Sequence, residues 1–427
     1  MQSQPQTLAQ KLIARAAGKH FVQEGEIVRC TIDLAAFHDS SGPRRLQPML
    51  DKLGAQIWDK SKVVLVMDHF VPAHDPISEQ ILQLSRDWAR RENLPHVYDS
   101  VGIIHAVLPE QGHILPGTFC VGGDSHSCTG GALGAYMFGI GSTEMLGAII
   151  RGQIWVKVPH TVRMHWSGVL SEGLSAKDMM LYMIGRFGTN GCNYGAAEYT
   201  GTAVQALSMQ ERMTLANMSA ELGAQVGLVS PDERTLEYLR ARGAAQDIRV
   251  DDLCHWVSDE KAPVEEHVFD ASELKPMVAA PYSPSQAAAV DDYKDVAIQV
   301  AYIGACTGAK FDDIAAAAQV LKNKKINKKT KLLLAPASQA DLMRARKAGY
   351  LDTIVDAGAE LLPTSCGACA GYGNALDDAG NVISTTARNF KGRMGNENTY
   401  VYLASPYSVA AAAVAGKIID PREVMQE

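Results

Sequence analysis

Apolar residues recur along this chain with two different periods, and the alternation between them predicts an α/β protein with mainly parallel sheets. In TLAQKLIARAAGKH (residues 7–20) the spacing is helical, with Leu8, Leu12 and Ile13 on one face and Thr7 where an N-cap belongs. Val63 to Met67 (VVLVM) is an unbroken apolar run of strand length that ends at Asp68-His69. Open α/β sheets bind ligands beyond the carboxyl ends of their strands, so these two side chains are candidates for chemistry. Gly122 to Gly141 is dense in glycine, which suits backbone folded closely around a site, or tight turns and a small-residue helix packed on a sheet. Val162 to Trp166 (VRMHW) reads as a strand. Ser175 opens a helix through Met179, Met180 and Met183, a stripe that belongs to a core, and Ser208 with Glu211 has capping-box spacing.

Residues 276–292 (PMVAAPYSPSQAAAVDD) break the periodicity with prolines and small residues and are expected to form a linker. Beyond them Val296 to Ile303 is a strand that runs into Gly304-Ala305-Cys306-Thr307-Gly308. Six lysines between Lys322 and Lys331 suggest a solvated loop between a helix at 312–321 and a strand at 332–335. No solenoid period or low-complexity tail appears. A chain of 427 residues predicts roughly two or three domains of about 100–200 residues each. The elements divide best as 1–160, 161–285 and 286–427, three α/β domains.

Composition narrows the class. At 47% hydrophobic and 20% charged the chain is an ordinary globular one, and its net charge of −7 leaves no domain-wide basic surface for nucleic acid or anionic membrane. No run reaches the roughly 18 apolar residues of a membrane helix, and no secretory pattern opens the chain, so a cytoplasmic location is expected. Lys11 and Arg15, with no acid before Glu24, imitate a transit peptide, but the capped helix explains them better. Eight cysteines (30, 120, 128, 192, 254, 306, 366, 369) without a secretion signal fit reduced thiols or a metal site rather than disulfides.

Cys366 and Cys369 form a C-x-x-C within SCGAC, and Cys306 sits on a strand-end loop about sixty residues earlier. A structural zinc wants four closed ligands and the second pair is missing. A thioredoxin-like dithiol needs no third cysteine, and Pro363-Thr364-Ser365 lacks the aromatic residue usual before such a pair. Three thiolates on a [4Fe–4S] cube leave one iron without a protein ligand, open to substrate as a Lewis acid. Spacing alone leaves the last two readings open.

Eleven segments, in order, resemble the aconitase superfamily and within it the large subunits of the 3-isopropylmalate dehydratase type: 7–19, HDSSGP at 38–43, DHFVPA at 68–73, 102–117, GGDSHSCTGGALGAYMFGIGSTE at 122–144, EYTG at 198–201, ANMSAELGAQVG at 216–227, IGACTG at 303–308, SCGAC at 365–369, RNFKGRMG at 388–395 and 402–416. The resemblance implies three α/β/α domains around a cleft, the iron–sulfur domain fold of that superfamily without its swivel domain. It implies that Cys306, Cys366 and Cys369 ligate one [4Fe–4S] cluster whose free iron binds a substrate carboxylate and the departing hydroxyl. It gives Asp68 and His69 the roles of orienting carboxylate and general acid. His105, Asp124, His126 and Glu198 would surround the substrate hydroxyl, Arg388 and Arg393 would hold carboxylates, and His38 and Ser125 would face the substrate.

Three departures weaken the expected polar surroundings of the cluster. Ala305 and Gly308 stand where the family has serine and asparagine, and Ala387 where it has asparagine. The family's catalytic base, a serine in a Ser-Ser-Arg-Glu-like segment on the swivel domain, finds no match here. The resemblance therefore implies a small partner subunit that carries the swivel domain, the base and at least one further arginine. The expected activity is a hydro-lyase acting on a small di- or tricarboxylic acid, isopropylmalate first and homoaconitate, citraconate, maleate or dimethylmaleate after it. A thiol redox protein using CGAC is the alternative of another class, and an RNA-binding role of the iron-free chain a third.

Overall fold

A computed structural model describes residues 4–372, 376 and 379–426. Four sheets occur among the described residues. The first has the order His96–Asp99, Val63–Met67, Leu34–His38, Phe119–Gly122, Tyr136–Gly139, every neighbouring pair parallel. Val63–Met67 is buried at every position, as an unbroken apolar run between two helical layers requires. A two-stranded antiparallel ribbon, Ile27–Thr31 with Gln153–Lys157, flanks it.

The second sheet orders Val226–Val229, Ala196–Thr200, Thr161–Ser167, Glu265–Asp270, again all parallel. The third has seven strands, with Asn381–Ser384, Val300–Ile303 and Lys331–Leu334 parallel at its centre. Its near edge corrects the expected linker. Met277–Ala279 and Ala287–Ala289 are short antiparallel strands that extend this sheet, the first pairing with Tyr400–Ala404. Pro276, Pro281 and Pro284 fall outside both strands, so no ladder hydrogen bond is lost to them.

Local signals hold elsewhere. Thr7 and Gln10 close a reciprocal capping box on the helix Leu8–Ala16, whose Leu8, Leu12 and Ile13 are wholly buried. Met179, Met180 and Met183 lie in the core, and the lysine-rich segment is a loop after the helix Phe311–Leu321. The glycine-dense stretch becomes a nine-residue 3-10 helix, Ser125–Leu133, laid directly on the second sheet. A Cβ on Gly131 would meet the Gly227 carbonyl oxygen at 1.8 Å, so the close approach depends on glycine. Among the described residues no helix is long and apolar enough to cross a membrane.

A seam joins the first and third sheets. The Ile103 amide donates to the Ala337 carbonyl and the Gln339 amide to the Val101 carbonyl, each at 2.8 Å. Beside them Ser338 Oγ donates to Glu110 Oε1 at 2.6 Å and Gln210 Nε2 to Asp341 Oδ1 at 2.9 Å. The other oxygens, Glu110 Oε2 and Asp341 Oδ2, are buried with no hydrogen-bond partner among the described residues. Burial first, then the neighbouring Asp341, pushes Glu110 up to about 8, with Arg242 opposing.

The folded chain therefore binds this proton more tightly than the unfolded one. The stability involved is complete below the ordinary carboxylate pKa of about 4.3 and is lost as pH rises through about 8. Thermal melts between pH 5 and 9 are expected to show a falling midpoint for the natural chain and a flatter profile for Glu110→Gln, which keeps the site neutral.

Candidate active site

Because Leu34–His38, Val63–Met67 and Phe119–Gly122 are neighbours in one parallel sheet, their carboxyl ends deliver His38-Asp39, Asp68-His69 and Gly123-Asp124 to the same side. Asp39 is completely buried and accepts the main-chain amides of His69 at 3.1 Å and Phe70 at 2.9 Å, which pins the turn after the strand. Asp68, also completely buried, accepts from His69 Nδ1 at 2.6 Å and from the Ile104 amide at 2.7 Å. The His69 Nε2 atom is left for the cleft. Burial works against a proton on His69, but the Asp68 charge and hydrogen bond, with Asp39 and Asp124, outweigh it and raise the imidazole to about 9. In return His69 holds Asp68 below its usual range despite the burial.

His38 stacks on His69, with ring centroids 3.8 Å apart. Its Nδ1 accepts the amides of Ser40 at 3.2 Å and Ser41 at 3.3 Å, so Nε2 carries the hydrogen and lies 3.5 Å from Asp124 Oδ2. Asp124 also accepts from His105 Nε2 at 2.8 Å and from the His126 amide at 2.7 Å. Burial opposes its ionisation, yet these histidines hold it far below the usual carboxylate range. Ser125 lies exposed at the start of the 3-10 helix that Asp124 caps.

His126 is bound by an acid outside the expected set. Its Nε2 is 2.9 Å from Glu221 Oε1, and Arg388 Nε donates to that same oxygen at 2.6 Å. Burial alone would depress His126, but Glu221 raises it to about 9, against the charge of Arg388. Glu198, expected here, is elsewhere. It lies within the strand Ala196–Thr200, accepts from Ser258 Oγ at 2.8 Å, and has Arg163 Nη2 3.6 Å away. Among the described residues it makes no hydrogen bond or ion pair with the histidines or arginines of the cleft, because a mid-strand side chain points across the sheet rather than off its end.

The three cysteines come from segments that follow strands of the third sheet. Cys306 follows the strand Val300–Ile303 after Ala305, whose φ is +68°; Cys366 is the N-cap of the short helix Gly367–Ala370 and Cys369 lies within it. The Cys366 amide donates to the Asp68 carbonyl at 2.8 Å, tying this loop to the end of the first sheet. The neighbouring Cys366 thiol pulls Cys369 down to about 6 against burial, helped by Arg393, His126 and Arg388, and Cys369 together with burial pushes Cys366 well up. Burial raises Cys306 to about 12, with Cys369 adding to it and Asn217 opposing. Asn217 Nδ2 donates to Cys306 Sγ at 3.2 Å and to Thr129 Oγ1 at 2.8 Å. The three thiols thus lie within one another's electrostatic reach, facing the Asp124, His126 and Arg388 group.

This donor set fits a cluster that takes three thiolates. Among the described residues Cys128 turns its thiol to the Asn217 carbonyl at 3.2 Å and adds no fourth ligand. Glu221 Oε2, Asn217 Oδ1 and Arg393 Nε are buried around the thiols with no partner among the described residues, as groups awaiting a ligand would be. The small residue at 308 has a reason of its own: a Cβ there would meet Thr385 Cβ at 2.1 Å. Thr385 Oγ1 uses that space to donate to the Gly304 carbonyl and accept the Gly304 amide, both at 2.8 Å, and so clasps the Cys306 loop.

Two residues of this site, Asn217 and Glu221, escape a reading by motif, although both lie in ANMSAELGAQVG. The available signal is an isolated acid and amide in a stretch of small and apolar residues, which has to be buried with a partner.

Residues 10–416 match the aconitase family (aconitate hydratase). The chain is 40% identical over 420 residues to the 3-isopropylmalate dehydratase large subunit 1 of Methanopyrus kandleri, covering 97% of this chain and 99% of that one. It is 40% identical over 425 residues to the 3-isopropylmalate dehydratase large subunit of a Hydrogenobaculum species, covering 99% of each. Among solved structures, the holo form of Thermococcus kodakaraensis aconitase X superposes with a TM-score of 0.50 at 14% identity over 84% of each chain, a likeness of fold.

Replacing Glu221 by Gln is expected to move the His126 titration, followed by imidazole NMR, down from about 9 by roughly one unit or more. Glu198→Gln should leave that titration in place.

Proposed function

The chain belongs to the aconitase family and is a hydro-lyase of that family, and from this premise we propose that it is the large subunit of an enzyme that removes and re-adds water on an alkylmalate-type acid, 3-isopropylmalate first among them. The observation that carries the reading is the junction at Asp68, where one residue holds the His69 ring with its carboxylate and the Cys366 loop with its carbonyl. General acid and thiol ligands are thereby held around one point.

A [4Fe–4S] cluster bound by Cys306, Cys366 and Cys369 would supply a Lewis-acid iron with no protein ligand. His69 holds a proton at Nε2 and delivers it to the departing hydroxyl, while Asp68 keeps Nδ1 protonated and stabilises the cation before transfer. His105, Asp124, His38 and Ser125 line the same side. The Asp124 carboxylate, kept ionised by its histidines, orients them and accepts hydrogen bonds from the water that leaves or enters. His126, Glu221 and Arg388 form a fixed relay on the other side, and Glu221 occupies Nε of Arg388 so that the rest of the guanidinium faces substrate. Arg388 and Arg393 suit substrate carboxylates, being planar donors that stay charged. A small partner subunit bearing the swivel domain supplies the serine base that removes the proton alpha to a carboxylate, with one more arginine. The names of the large-subunit relatives support such a partner.

A dithiol redox function is favoured by the nearness of the Cys366 thiol, which lowers Cys369 to about 6. Cys306→Ser separates the two, because disulfide exchange at Cys366 and Cys369 would survive it and cluster binding would not.

The co-expressed pair, reconstituted anaerobically with iron and sulfide, is expected to show cluster absorbance and an EPR signal after reduction, and to dehydrate a member of an alkylmalate, citrate-like and maleate-like panel. Each of Cys306→Ser, Cys366→Ser and Cys369→Ser should lose the signal. His69→Asn should keep it while kcat falls about 10²–10⁴-fold. A fully loaded pair inactive on the whole panel would overturn the proposal.

A further inference from the structure

Behind the cysteine loops lies a buried cation that the chemistry above does not use. Lys177, in the first turn of the helix Ala176–Phe187, is 1% exposed. Its ammonium donates to the carbonyls of Thr385 and Thr386, the latter at 2.7 Å, and lies 3.4 Å from Thr307 Oγ1. Thr307 follows Cys306, and its own hydroxyl donates to the Thr385 carbonyl at 2.8 Å. Thr385 and Thr386 lead through Ala387 to Arg388. One ammonium therefore clips the Cys306 loop to the Arg388 loop.

The charges around it do not cancel. Among the described residues Lys177 forms no ion pair. The acid that acts on it, Asp313, is already committed to a second buried lysine, Lys310, at 2.7 Å. Lys310 in turn donates to the Cys306 carbonyl at 2.9 Å. Both buried ammonium groups draw on Asp313 and Lys310 draws also on Asp341, while the other ionisable groups that raise Lys177 are the thiols of Cys369 and Cys306. A buried charge with too little counter-charge is strongly unfavourable, and the position of this one beside the Cys306 and Cys369 thiols points to what balances it.

We propose that Lys177 is a positioning residue that balances the negative charge of the three ligating thiolates and keeps the Cys306 and Arg388 loops in register for the cluster. This rests on the cluster reading, and it makes retention and reduction of the cluster depend on the sign of the charge at this place. A positive charge near a redox group favours its reduced form, so removing one shifts the midpoint potential negative and removing a negative one shifts it positive.

The test uses the full pair carrying Lys177→Met or Asp313→Asn, reconstituted with iron and sulfide beside the natural pair. EPR-monitored titration reads the midpoint potential, chelator challenge reads iron retention, and melting of the iron-free pair reads folding. Lys177→Met is expected to shift the potential negative and to weaken iron retention about 10–100-fold, and Asp313→Asn to shift the potential positive. Should Lys177→Met melt far below the natural pair, the direction of the Asp313→Asn shift decides. Shifts that are absent, or of the same sign in both variants, overturn the inference. A natural pair that takes up no cluster instead overturns the function proposed above.

Discussion

Asp68 is the point on which the cleft depends. Its side chain is wholly buried, so each oxygen needs a partner, and it finds them in the His69 ring and the Ile104 amide. Its carbonyl takes the Cys366 amide. A single residue at the end of a central strand therefore couples the imidazole, the helix that carries His105, and the loop that carries two cysteines. Displacing it would disturb all three, since none of the loops has sheet hydrogen bonds of its own at that point.

Charge organises what lies around this junction. Buried carboxylates are placed so that each faces an imidazole or a guanidinium: Asp68 with His69, Asp124 with His105 and His38, and Glu221 with His126 and Arg388. In a medium of low polarity these pairs fix one another's protonation, which is why two histidines titrate near 9 rather than near neutrality. The lysines behind the cysteines follow the same logic with the opposite sign. Glu110 and Asp341 at the seam differ, two acids that face each other and whose burial outweighs the bases near them, Arg242 for Glu110 and Lys310 and Arg344 for Asp341.

The likeness to the aconitase family extends over nearly the whole chain, yet the residues by which this chain departs from it are built in rather than merely lost. Gly308 makes room for Thr385, and Thr385 clasps the Cys306 loop through both of its hydroxyl hydrogen bonds. Asn217 adds a donor directly to Cys306 Sγ. Polar support for the thiol loop is thus present, drawn from other segments than the motif itself.

What the amino-acid order determined alone is whatever depends on neighbours in the chain. Unbroken apolar runs became central strands, Thr7 and Ser208 capped their helices, methionines at helical spacing entered the core, and the carboxyl end of Val63–Met67 carried the Asp68-His69 pair. Tertiary structure decided which acid serves the cleft. Glu198 and Glu221 are both buried acids in motif-rich segments, but the first lies mid-strand with Ser258 and Arg163, and the second in the turn after the helix Met209–Met218, against His126. It decided as well that 276–292 pairs with a distant strand, and that Lys177 reaches the carbonyls of Thr385 and Thr386 some two hundred residues away. The physical reason is common to these cases. Periodicity and capping are settled within a few residues of backbone, whereas the partner of a buried charge is chosen by whichever segments the packed sheets bring within hydrogen-bond reach.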